Sequence, residues 1–234
     1  MANGEASARA KAWSGPGVVL LAFAGQFASY DWTMSLEPHW YSTMYGFLFL
    51  AQAAPATLAL LLLTAAFSRR RDAAAPDLDP AGFRDLGSLL LAFLVIWIYA
   101  SFFQYMLIWF GDLPHEISWF THRNAGAWSW IARGFVVFYF AVPFFLLLFR
   151  SNRGSPKRLA WLGGWLLFAH LAYMFWFITP SYRTSGFGIS WLDAAAWIAV
   201  GGWWLGAYLW SLAGLGGLPG MPHAAVAERP HGAI

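Results

Sequence analysis

The 234-residue chain is 59% hydrophobic, 20% aromatic and only 11% charged, too few charged groups to coat a soluble globule of this size. Its formal net charge of +3 resides in arginines clustered in short stretches between apolar segments, a topological signal that excludes a nucleic-acid footprint. With no cysteine, the chain cannot form disulfides, thiolate zinc sites, Cys-ligated iron–sulfur clusters or covalent c-type haem.

In chain order, residues 1–16 read as a polar cytoplasmic tail without a signal-peptide cleavage site, so the first apolar stretch is expected to stay as an anchor. Six windows supply the roughly 20 mostly apolar residues needed to cross ~30 Å of hydrocarbon. They lie near Gly17 to Leu36, Ser42 to Phe67, Leu86 to Phe110, Trp128 to Phe149, Leu159 to Ile178 and Trp191 to Leu212. The expected fold is all-α, a polytopic transmembrane helical bundle over residues 17–212, with a flexible cytoplasmic tail over 213–234. Pro55 and Pro143 fall inside the second and fourth windows, where neighbouring helices can re-satisfy the freed carbonyls and a structural kink is expected. The Ala/Pro/Asp-rich stretch from Asp72 to Asp85 reads as a flexible loop.

Orientation follows from the basic residues. Arg9 and Lys11, then Arg69, Arg70, Arg71 and Arg84, then Arg150, Arg153, Lys157 and Arg158 fall on one side if six helices alternate, and the positive-inside rule makes that side the cytoplasm. Both termini are then cytoplasmic. The opposite loops hold three of the six histidines and a dense set of Trp and Tyr, which marks the outer face as the functional one.

The densest candidate segment is Asp31-Trp32-Thr33-Met34-Ser35-Leu36-Glu37-Pro38-His39-Trp40-Tyr41-Ser42-Thr43-Met44-Tyr45-Gly46. Asp31 and His39, if within hydrogen-bond reach, suit acceptance of protons near the outer surface; Glu37 sits between them in a turn. The bland reading has Asp31 capping a helix or pairing with Arg133 or Arg183, and His39 bonding the loop backbone. His170 lies within the fifth window, where it serves either as a proton relay or as a neutral imidazole bonded across helices. Gln26, Gln52 and Gln104 are intramembrane polar residues suited to interhelical bonding. Arg133, about a turn into the fourth window, is expected to snorkel and to pair with an acidic residue such as Asp193. His115, Glu116, His122 and Arg123 are expected in a solvated outer loop suited to docking a partner, with no standard metal-ligand spacing.

The 31–46 string resembles the outer-face signature of the ActF-type membrane subunit of bacterial alternative complex III, a quinol:cytochrome c oxidoreductase. A second resemblance lies in Phe103-Gln104-Tyr105-Met106-Leu107-Ile108-Trp109-Phe110, followed by Asp112-Leu113-Pro114-His115-Glu116 and Trp119-Phe120. The likeness runs from about Gly17 to Tyr182 and corresponds to the C-terminal part of the longer typical members. It implies an accessory subunit in the bacterial inner (cytoplasmic) membrane, without cofactors of its own, that supports assembly and contributes to proton transfer. The implied partners are an NrfD-like membrane subunit, an iron–sulfur subunit and multihaem cytochrome c subunits, which carry the haem and iron–sulfur clusters. Two alternatives stay open: a redox subunit that binds quinone in an outer-face pocket at Asp31 and His39, and a small transporter or channel. The last has neither paired broken helices nor an inverted repeat to support it.

Overall fold

The computed structural model describes residues 2–68, 80–183 and 186–214, which are almost entirely helical and contain no strand. Seven helices organise them: α1 (Ala2–Trp32), α2 (Tyr45–Ser68), α3 (Pro80–Gly111), a short α4 (Pro114–Arg123), α5 (Ala127–Leu148), α6 (Pro156–Ile178) and α7 (residues 191–214). Among the described residues, four segments are long and apolar enough to cross a membrane: Tyr45–Phe67, Ala81–Gly111, Ala127–Leu148 and Pro156–Ser181. They correspond to α2, α3, α5 and α6, and on that basis the chain is a membrane protein.

Several expected boundaries move. Helix α1 starts at Ala2, so the expected N-terminal tail is helical, and it ends at Trp32, where a separate 3-10 turn, Met34–Leu36, begins. The Thr33 hydroxyl donates to the Ser29 carbonyl at 2.7 Å and so takes up an acceptor at the helix end. Residues 80–85 of the expected loop open α3; the arginines at 69–71 and the tail beyond 214 lie outside the described residues.

The bundle is built on α2 against α6, with α3 and α1 also on α2 and the second half of α5 on α3. The α2–α6 approach is close because position 163 is glycine: a Cβ there would lie 2.7 Å from the Ala59 carbonyl oxygen. Small residues at such crossings let backbones meet, which in lipid matters more than apolarity. The core changes character along its length. Phe83, Leu90, Leu94, Leu147, Leu159 and Leu166 fill the end near the 149–155 connection, whereas Trp97, Trp119, Trp128, Tyr139, Tyr173 and Phe177 fill the end near α4.

Pro143 has a local consequence. It lacks the N–H that the Tyr139 carbonyl would accept in an α-helix, and the preceding residues Val136–Ala141 widen into a π turn. Pro55 sits inside α2 without such a change.

The segment expected to be a solvated loop is instead α4. Pro114 stands at its first turn with Glu116 beside it, and His122 and Arg123 occupy its last turn, which suits both the cap and the helix dipole. One face buries Trp119, Phe120 and Arg123 while His115 and Glu116 face outward. By contrast α7 packs extensively on no other helix among the described residues. Trp191, Ile198, Trp203 and Trp210 on it are each more than 70% exposed.

Candidate functional site

At the α4 end, Arg123 ties three parts of the chain together. It is fully buried, and its guanidinium donates to Glu37 Oε1 at 2.8 Å, to the Trp119 carbonyl at 3.0 Å, to the Phe177 carbonyl at 2.8 and 3.1 Å, and to Ser181 Oγ at 2.6 Å. Ser181 Oγ in turn donates to Glu37 Oε1 at 2.8 Å. The guanidinium also lies over the Trp119 ring, 3.7 Å from its centroid. Burial pulls the pKa of Arg123 below the ordinary arginine value, and the Glu37 carboxylate opposes that shift by favouring the charged form. With this fork of donors engaged, the buried charge is paired and hydrogen-bonded, as burial demands. Arg123 was expected on a docking loop; it is the internal fastener of this end, because the last turn of α4 points it beneath the helix.

The two motif segments meet here. Trp40 Nε1 donates to the Glu116 carbonyl at 2.9 Å, and Gln104 Nε2 donates to Ser42 Oγ at 2.8 Å. Trp40 stacks on Trp119 with ring centroids 5.4 Å apart, and Tyr45 stacks on Phe177 at 5.2 Å. Gln26 reaches the Thr43 carbonyl at 3.2 Å and hydrogen-bonds the Tyr30 hydroxyl, which fixes α1 to the same turn.

The other candidates are distributed differently from expectation. Asp31 and His39 are both exposed, and their side chains make no hydrogen bond or ion pair with each other or with other described residues. Glu37 is the acidic residue drawn inward, with His122 Nδ1 3.8 Å from its second oxygen. Asp193 pairs with Arg183 at 3.0 Å rather than with Arg133, because the same carboxylate caps α7 at Ser190 and lies within reach of the 183 side chain. Arg133 rests on Trp130, its guanidinium 4.6 Å from the ring centroid. His115 and Glu116 stand on the surface 4.0 Å apart, with Tyr41 beside the histidine ring.

Within the bundle His170 Nδ1 meets the Tyr139 hydroxyl at 3.1 Å, and that hydroxyl lies 3.5 Å from the Gln52 carbonyl oxygen. Gln52 is 1% exposed, and neither its side-chain amide nitrogen nor its oxygen has a hydrogen-bond partner among the described residues. Tyr139 was not a candidate from sequence. The signal that could have found it is Pro143, four residues on, whose π turn surrounds it.

Beneath α4, helices α3 and α5 part and leave a half-open cleft of about 600 Å³ backed by α6. Trp97, Tyr105, Trp119 and Trp176 form much of its wall, and Ser101, Asn124, Ser129 and Arg133 are its polar lining. The arrangement offers a stiff, hydrogen-bonded cap, an aromatic cleft below it and a buried phenol–imidazole pair. No protein-family model matches the chain, and no curated protein is significantly similar to it.

Proposed function

We propose that the chain is an accessory, six-span subunit of a quinol-oxidising respiratory assembly of the alternative complex III kind, seated in the bacterial inner membrane with both termini cytoplasmic. Its work is to hold a rigid outer face against the iron–sulfur and multihaem cytochrome subunits, beside an NrfD-like membrane partner. The observation that carries this reading is the docking of the two resembling segments: Trp40 on Glu116 and Gln104 on Ser42 join residues more than sixty positions apart into one surface. Arg84, Arg150, Arg153, Lys157 and Arg158 at the opposite end favour the inward placement of that end. Proton transfer, if this subunit contributes to it, would use the Tyr139–His170 pair rather than Asp31 and His39, since these two share no contact.

The test is purification of the tagged chain from native membranes in a mild detergent, with mass spectrometry and a reduced-minus-oxidised visible spectrum. The reading expects co-isolated multihaem cytochrome, iron–sulfur and NrfD-like subunits and a haem spectrum. A colourless chain without partners in several detergents would overturn it.

A further inference from the structure

Arg133 is a cation within an apolar span that no carboxylate of the described residues neutralises; its only aromatic neighbour of this kind is Trp130. It stands six residues into α5, roughly 9 Å along the helix at about 1.5 Å per residue, a depth from which a long side chain reaches the headgroup layer. An isolated charge at that depth is costly unless it meets water or an anion. The same residue is part of the lining of the cleft between α3 and α5, whose wall is otherwise mostly aromatic. Asn124 and Ser129 also line the cleft, so its wall is not wholly apolar.

We propose that this cleft holds one anionic phospholipid, its headgroup phosphate on Arg133 and an acyl chain laid along the aromatic wall. The guanidinium fork matches a phosphate with two parallel donors, which a point charge would not do. The aromatic wall supplies apolar contact for a chain. A cavity of about 600 Å³ falls within the roughly 300–1,000 Å³ of small-molecule sites and takes a substantial part of one lipid. The half-open side is the route by which a bilayer component enters without crossing water. The site is a property of this chain and does not rest on the respiratory assembly proposed above.

The experiment uses the full-length chain, stripped of lipid by detergent exchange and titrated with phosphatidylglycerol, with native mass spectrometry as the readout. One phosphatidylglycerol per chain is expected to survive in the wild type, with the bound fraction falling at least about five-fold in Arg133→Gln. Ala132→Trp, which fills the cleft and keeps the cation, is expected to lose the lipid to the same extent. In the unmodified chain, phosphatidylglycerol should be retained in preference to phosphatidylcholine from an equimolar mixture, a comparison that stands even if a variant fails to fold. Equal retention of the two lipids, unchanged binding in both variants, or displacement of the lipid by one equivalent of ubiquinone would each overturn the assignment.

Discussion

The α4 end and helix α7 are both rich in aromatic residues, yet one is tightly joined and the other stands apart. At the α4 end a buried arginine, a carboxylate, a serine and two tryptophans bind α4 to the 37–42 turn and the end of α6. Helix α7 carries Trp191, Trp197, Trp203, Trp204 and Trp210 and buries none of them; its tie is the Arg183–Asp193 pair at its first turn. The lesson is specific to a membrane protein. Lipid tails solvate an apolar face as well as another helix does, so helices meet where polar groups need partners or small residues allow close approach.

The sharpest way to break this comparison is Arg123→Ala. It leaves Glu37 without its cationic partner, with Ser181 Oγ still donating to it, and the Phe177 carbonyl without its side-chain donor, a loss of about 3–5 kcal/mol. In a chain of this size that corresponds to a fall in detergent Tm of roughly 6–20 °C. Glu37→Gln, which keeps an acceptor but removes the charge, should fall between that variant and the wild type. A drop for Arg123→Ala of less than about 2 °C would mean that the cap is ornamental.

A smaller effect is expected at the α2–α6 crossing. Gly163→Ala places a methyl 2.7 Å from the Ala59 carbonyl oxygen, so the helices must separate. The expected cost is about 1–3 kcal/mol, read from the same unfolding transition. An unchanged transition would show that the crossing adjusts freely and that close approach does not hold these helices.

The smallest effect is expected from the other side of the comparison. Truncation after Ser190 removes α7 and should change the stability of the remaining bundle by no more than about 0.5 kcal/mol. Hydrogen exchange in α2 and α6 should be unaltered. A loss as large as that of Arg123→Ala would show that α7 carries part of the fold.

Much of this organisation is legible in the sequence, and the unread parts share a cause. The windows for α2, α3, α5 and α6 are found within a few residues of their structural bounds, because a stretch of about 20 apolar residues has few other uses. Helix α4 was missed because His115, Glu116, His122 and Arg123 make the segment look solvated; its signals, a proline in the first turn and buried residues at 119, 120 and 123, are weaker than its polarity. Within the 31–46 segment the sequence does not reveal which polar side chain turns inward. Asp31 and His39 were open both to a proton-accepting and to a bland reading; both are exposed, and of the three candidates Glu37 is the one that pairs with the end of α4.

Composition and hydropathy by themselves determined that this is a helical membrane chain and where its central helices run, since both follow from the cost of leaving backbone polar groups unpaired in hydrocarbon. Only the tertiary structure decided that Arg123 is buried and that Arg133 rests on Trp130, that Asp193 belongs to Arg183, and that Tyr139 meets His170. These outcomes depend on which face each helix turns toward its neighbour. In a bilayer the apolar residues do not set that rotation, because either face is at home in lipid; it is set by the few polar contacts whose partners lie far along the chain.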